Sequence, residues 1–202
     1  MTTIKHHTNE VVTEHVARTR PMTTATQRVI AVLRIGFGFT FLWAFLDKAF
    51  ALGFHTGAVT NAETGARESI DFFAKDAAWL NGGSPTKGFL AFGVPADNPF
   101  KDFFNGMAGD AWVDWLFMAG LLGIGIALTF GIGMRIAAVA GATLYALMYA
   151  ASLPLENNPV VDDHVVGAVV VGLLALAYAG DTWGFGKRWA KTGLVQRYPV
   201  LR

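Results

Sequence analysis

Apolar residues run through this chain in long unbroken stretches, not in the short alternations of a soluble fold. The first, Val29–Leu46, is interrupted only by Arg34. A second run, Trp115–Leu153, carries Arg135 as its only charge. As one helix those residues would extend about 58 Å, roughly twice the hydrocarbon thickness of a bilayer. The run must therefore fold back, and Gly131, Gly133 and Arg135 mark the turn, giving two segments. The last, Val160–Gly180, holds Asp162, Asp163 and His164 in its first turn. Each segment is long enough to cross about 30 Å of hydrocarbon as a helix, and only helices satisfy their own backbone there. The pattern predicts an all-α integral membrane protein, a bundle of four transmembrane helices.

What lies between and around the segments sets the domain plan. Residues 1–27 are polar, with no apolar core of a cleaved signal peptide, and read as a mobile tail. Residues 28–190 form the membrane domain, and 191–202 a C-terminal tail. The 47–114 connection is too long for a turn. Within it Ile70, Phe73, Ala77 and Leu80 fall at helical spacing among Glu68, Asp71, Lys75 and Asp76, predicting an amphipathic interfacial helix near 67–80. Phe89, Leu90, Phe92, Phe100, Phe103 and Phe104 follow, too many aromatics for a purely aqueous loop, so the loop is expected to cap the bundle against lipid headgroups. Lys5, Arg18, Arg20 and Arg28 precede the first segment; Arg135 sits in the turn; Lys187, Arg188, Lys191, Arg197 and Arg202 follow the last. The 153–160 connection has no basic residue, and the long loop dilutes its own with acids. The distribution predicts a plasma-membrane protein with both termini cytoplasmic and the loop outside. Small residues at helical spacing, Ala138, Ala142, Ala146 and Ala150, then Gly36, Thr40 and Ala44, then Ala119 and Gly123, are expected at helix contacts.

Composition narrows the chemistry. Charged residues are only 15% of the 202, against about a quarter in soluble proteins. Net charge is +1, and no basic stripe or nucleic-acid motif occurs, so no nucleic-acid partner is expected. The chain has no cysteine, which excludes disulfides, thiolate metal sites, Cys-ligated iron–sulfur clusters and Cys nucleophiles. Only His164 is suitably placed for a haem ligand, and no dinucleotide or phosphate-binding glycine motif occurs. No haem, iron–sulfur, flavin or metal site is evident.

Candidate chemistry gathers at one boundary. Asp47 and Lys48 close the first segment, His55 follows, Asp114 opens the second, and Asn158-Pro159 with Asp162-Asp163-His164 opens the fourth. A helix start accounts for much of the last group: Asn158 as N-cap, Pro159 at N1, and two acids at the positive helix end. His164 fits that account least, and beside carboxylates it can donate a hydrogen bond or relay a proton. Lys48 can snorkel to headgroups, with Asp47 as its pair. Arg34 lies about 9 Å deeper than Arg28 and must either snorkel back or meet backbone carbonyls or a polar ligand. Trp43 and Trp115 suit interfacial anchors.

The residues Leu33-Arg34-Ile35-Gly36 and Phe41-Leu42-Trp43-Ala44-Phe45-Leu46-Asp47-Lys48 resemble the DoxX/DoxD family of small membrane proteins. The resemblance continues through Ala78-Trp79-Leu80-Asn81-Gly82-Gly83-Ser84-Pro85-Thr86-Lys87-Gly88-Phe89-Leu90, Gly120–Gly125 and Asn158–His164, and the long loop looks more like the DoxD branch. It implies the large membrane subunit of a quinone-linked oxidoreductase that converts thiosulfate to tetrathionate, with a second subunit or respiratory complex as partner. On that implication His164, Asp47 and Asp163 are the expected catalytic residues. Lys48, Ser84, Thr86 and Lys87 are expected to hold the small oxyanion substrate, and Trp43, Asp162 and Arg34 the quinone. Lys48, Asp47 and His164 are expected to share one polar pocket beneath the loop. The alternative is a non-catalytic scaffold subunit of a respiratory or redox-stress complex; a transporter is disfavoured by the lack of repeats or interrupted helices.

Overall fold

The computed structural model describes residues 21–202. Helix α1, Thr24–Phe50, starts where the Thr23 hydroxyl accepts from the Thr26 N–H at 3.2 Å and ends at Ala51 in the left-handed region. Residues 24–27 therefore belong to the first helix and not to the polar tail expected over 1–27, whose first twenty residues lie outside those described. Helices α3, Ala111–Phe130, and α4, Met134–Ala151, are separated by Gly131 (φ 71°) and Gly133 (φ 59°). These left-handed positions suit glycine and make the reversal that the apolar run requires. Helix α5 spans Asp163–Leu176. Three of these, α1, α3 and α4, are long and apolar enough to cross a membrane; α5 is apolar but shorter.

The helices pack as two antiparallel pairs, α1 on α3 and α4 on α5, joined through α3–α4 contacts. Glycines make the close approaches. A Cβ on Gly38 would fall 2.6 Å from the Thr129 amide nitrogen, one on Gly125 2.8 Å from Leu42, and one on Gly167 2.6 Å from the Tyr145 ring. Phe41, Met118, Leu121, Ile124, Leu128, Val171 and Leu174 fill the centre. The small residues expected at contacts divide differently: Ala138 is buried, whereas Gly36, Thr40, Ala119 and Gly123 face outward. Large apolar side chains cover the outside, with Val139 70% and Leu176 81% exposed. That surface is compatible with lipid and would be a costly patch in water.

The 47–114 connection is not built around the expected helix. Strands β1, Ala58–Thr60, and β2, Arg67–Ile70, form a small antiparallel ribbon. Phe73 and Asp76 then take positive φ (58° and 59°), which breaks any helical continuation through 67–80. Ile70, Phe73 and Leu80 are exposed, and the residues buried here are Ala74 and Ala78. Helical character lies further on, in a short turn at Trp79–Asn81, a wide turn at Phe89–Gly93 and helix α2, Lys101–Gly106. Asn98 ties this region to the end of α4, its amide donating to the carbonyls of Ala150, Ala151 and Leu153 at 2.9, 3.1 and 2.7 Å.

After α5 the chain makes two short helices, α6, Gly186–Trp189, and α7, Gly193–Arg197. The final residues dock back on the bundle. The Trp189 indole donates to the Leu201 carbonyl at 2.6 Å, and the Arg135 N–H to the Arg202 carbonyl at 3.1 Å. The C-terminal tail, 191–202, thus packs on this end of the bundle. Helix directions define two ends, a loop end holding Asp47 and the 47–114 segment, and a terminal end holding the α3–α4 turn and residues 177–202. The charges segregate between them. Among the described residues Asp181 is the single acid at the terminal end, facing Arg28, Arg135, Lys187, Arg188, Lys191, Arg197 and Arg202, while every other acid lies at the loop end.

Candidate functional site

At the loop end acidic side chains are engaged in local hydrogen-bond groups, among them those of Asp47, Asp114 and Asp162. In the first, Asp47 is 1% exposed, and its carboxylate accepts three backbone N–H groups, from Phe54, His55 and Thr56, at 3.0, 2.9 and 3.1 Å. Three converging amides satisfy a buried carboxylate well. They also fold the first turn of the loop back over the end of α1. The Asp47 oxygens are thereby committed to architecture. Lys48, one residue on, is half-buried and has neither an ion pair nor a hydrogen bond among the described residues. Trp43 stands edge-on to Phe54, centroids 5.0 Å apart, and so packs against the same turn.

The residues expected to hold an oxyanion separate on inspection. Thr86 is 7% exposed and its hydroxyl donates to Asp114 Oδ1 at 2.6 Å, with its N–H on the same oxygen at 3.1 Å. Asp114, itself 6% exposed, anchors the loop to the start of α3. Ser84 Oγ accepts from the Lys87 N–H at 3.3 Å. Lys87 is exposed, with its aliphatic stem beside Gly109. The Lys48 and Lys87 ammonium groups have no partner among the described residues; Thr86 does not retain a free hydroxyl proton.

A further group sits where α5 begins. The helix starts at Asp163, three residues later than the apolar pattern suggests, with Asp162 as N-cap in place of Asn158. Asn158 instead turns the preceding loop, accepting from Val160 and Val161 N–H at 2.9 and 3.0 Å. Asp162 Oδ1 takes the N–H groups of His164 and Val165, both at 3.0 Å, while Oδ2 meets His164 Nδ1 at 2.6 Å. One carboxylate caps the helix and orients the imidazole together. Burial raises the Asp162 pKa, but the hydrogen bonds from the His164 ring and from the Val165 and His164 amides outweigh it and hold the group below its ordinary value. With Nδ1 facing the carboxylate, Nε2 is left for another partner. Tyr145 of α4 lies 6.3 Å from the His164 ring and 5.7 Å from Phe41, linking this group to the bundle core. Asp163 is exposed on the first turn.

No hydrogen bond or ion pair among the described residues joins His164 to Asp47 or Lys48; the Asp47 and Asp162 carboxylates are each engaged locally. Both acids serve the nearest unpaired backbone N–H groups, Asp47 those of its own turn and Asp162 those of its own helix. Spacing singles out Asp114 as a helix start but gives no signal for Asn98 or Tyr145. Their signal is instead a polar side chain beside or within an apolar helix, which must find an internal partner.

Arg34 lies at the other end, about 20 Å along α1 from Asp47. It is 0% exposed, and its guanidinium is filled by backbone carbonyls. Nε donates to Ala179 (3.1 Å), Nη1 to Leu128 and Thr129 (2.8 Å), and Nη2 to Thr182 (3.3 Å) and Trp183 (3.0 Å). Five donors meet five acceptors, which leaves none for a ligand. The side chain ties the last turn of α3 to the segment 179–183 that follows α5, and Gly131 and Gly180 let the two backbones come close enough for it to reach both. Among the described residues no cluster of three or more His, Asp or Glu that could hold a metal occurs. The chain matches no family model, no curated protein and no solved structure.

Proposed function

We propose that this protein is the DoxX/DoxD-type membrane subunit of a quinone-linked oxidoreductase, with thiosulfate as reductant, and that its loop end faces outward. All four helices cross the bilayer in this reading, α5 with the turn that follows it, and both termini are cytoplasmic. The bias of basic residues toward the terminal end supports that orientation.

The observation that carries the functional reading is the His164–Asp162 contact of 2.6 Å at a helix start beside the membrane. A quinone is a two-electron acceptor whose reduction takes up two protons. Joining two thiosulfate ions through a sulfur–sulfur bond to give one tetrathionate releases two electrons, so the exchange balances. In this chain His164 presents Nε2 for proton delivery, and Asp162 fixes the ring through Nδ1. Asp163, exposed on the same turn, offers a path for reprotonation from outer water. Lys48 and Lys87, whose ammonium groups have no partner among the described residues, serve the oxyanion. Residues already saturated by backbone groups, Asp47 and Arg34, are positioning residues here.

The engagement of Asp47, Thr86 and Arg34 in internal hydrogen bonds favours a second reading, in which the subunit is a scaffold. Titration of the full chain in nanodiscs with a short-tailed quinone separates the two. Saturable binding weakened about tenfold by His164→Ala, as expected for a lost hydrogen bond, supports the oxidoreductase; no saturable binding supports the scaffold.

A further inference from the structure

The terminal end contains a cleft of about 400 Å³ that none of the proposed chemistry uses. Its walls are mixed. Met22, Ile30 and Ala177 supply apolar surface, and Lys187, Arg202 and Asp181 supply charge. Asp181 is already paired, its Oδ2 meeting Arg202 Nη2 at 3.0 Å. Lys187 is exposed and has no partner among the described residues. Arg202 lies over the Tyr178 ring with its guanidinium carbon 4.5 Å from the centroid, which fixes the plane of the fork. Its Nε is buried and makes no hydrogen bond to any described residue.

A guanidinium held in this way is a charge-assisted donor to an anion that enters the cleft. With the Asp181–Arg202 pair set aside, Lys187 is a cation of the cleft that no acidic side chain among the described residues engages. The floor sits where α1 begins and α5 ends, which is the depth of a headgroup for helices that cross a bilayer. An apolar wall beside a cationic one suits an amphiphile, not a freely diffusing ion. The surrounding surface is basic, with Asp181 its single acid among the described residues, and such surfaces attract anionic leaflets.

We infer that this cleft is a binding site for one anionic phospholipid, its phosphate held by Lys187 and the Arg202 guanidinium, its glycerol and upper acyl carbons lying against Met22, Ile30 and Ala177. The inference requires a membrane protein but not the redox reading. Native mass spectrometry of the full chain released from nanodiscs containing phosphatidylglycerol and phosphatidylcholine in equal amounts tests it. One phosphatidylglycerol should remain bound per chain, retained at least fivefold over phosphatidylcholine. Lys187→Gln alone, an exposed change that leaves the fold intact, should cut the preference about threefold. Lys187→Gln with Arg202→Gln should abolish it, and Arg197→Gln, outside the cleft, should leave it unchanged. Equal retention of the two lipids overturns the proposal, as does an Arg197→Gln effect equal to that of Lys187→Gln, which would mean general surface charge. A thermal stabilisation by inorganic phosphate alone equal to that by phosphatidylglycerol would assign the cleft to a free anion and overturn the lipid.

Discussion

Arg34 makes the strongest argument that a buried charge can be architectural. Its five donors fill five carbonyls, two in the last turn of α3 and three in the segment after α5, so substitution orphans acceptors as well as removing a charge. Lysine cannot replace it, because an ammonium offers three donors and no planar fork. Arg34→Lys should cost about 2 kcal/mol, seen as a lower midpoint of thermal unfolding in detergent with helix content as the probe. Asp47 acts over a shorter range. In Asp47→Ala the amide protons of Phe54, His55 and Thr56 should exchange faster by about tenfold or more, which hydrogen exchange read by mass spectrometry would register on the peptide covering 53–57. Asp162 carries a pH signature. Because folding lowers its pKa, its contribution to stability is complete above the ordinary carboxylate range, near about 3.9, and is lost as pH falls through the lower folded value. Asp162→Asn should flatten that acid limb of a stability–pH curve, leaving its neutral region lowered by the weakened helix start.

At the scale of elements, the glycines on α1 provide an internal control. Gly38 meets Thr129 so closely that a methyl there must push α1 from α3, whereas Gly36, two residues away, has nothing within 4 Å of a built Cβ. Gly38→Ala should therefore destabilise by about 1–3 kcal/mol, and Gly36→Ala should be neutral or stabilising by up to about 1 kcal/mol through helix propensity. Denaturant titrations of both variants check the sign. The contrast also explains what was legible. Long apolar runs, the Gly131–Gly133 reversal and the acidic start near Asp162 were readable, because each is a local property of composition or backbone freedom. Which small residues face inward was not, because that depends on how each helix is rotated in the bundle, and lipid-facing and core-facing positions are equally apolar. The loop misled for a related reason. Ile70, Phe73, Ala77 and Leu80 match a helical period, yet pairing of β2 with β1 and positive φ at Phe73 and Asp76 override it. Asp47 and His164 lie at the same end of the bundle, as their places at helix ends imply, but their partners follow from the local fold: Asp47 is claimed by the amides of its own turn and His164 by the Asp162 cap.

On the scale of the molecule, the separation of charge is the dominant feature. Basic residues crowd the terminal end with Asp181 as their single acidic neighbour among the described residues, and the acids occupy the loop end. That asymmetry underlies the proposed orientation. A cysteine introduced at position 61 should react with an impermeant maleimide from outside intact cells, and one at 187 only after lysis; the reverse pattern would invert the topology. The exposed aromatics of the loop end, among them Phe54, Phe92, Phe103, Trp112 and Trp115, lie where an interfacial belt is expected for helices of these lengths. The central claim, that the His164–Asp162 pair serves quinone reduction, is tested most directly by thiosulfate-dependent reduction of a short-tailed quinone by the full chain in nanodiscs. The account expects turnover by the unaltered protein, a fall in kcat of about 100-fold or more in His164→Ala, and a rise in KM for thiosulfate in Lys48→Ala with kcat little changed. Absence of thiosulfate-dependent turnover in the unaltered protein, or an unchanged kcat in His164→Ala, would contradict it.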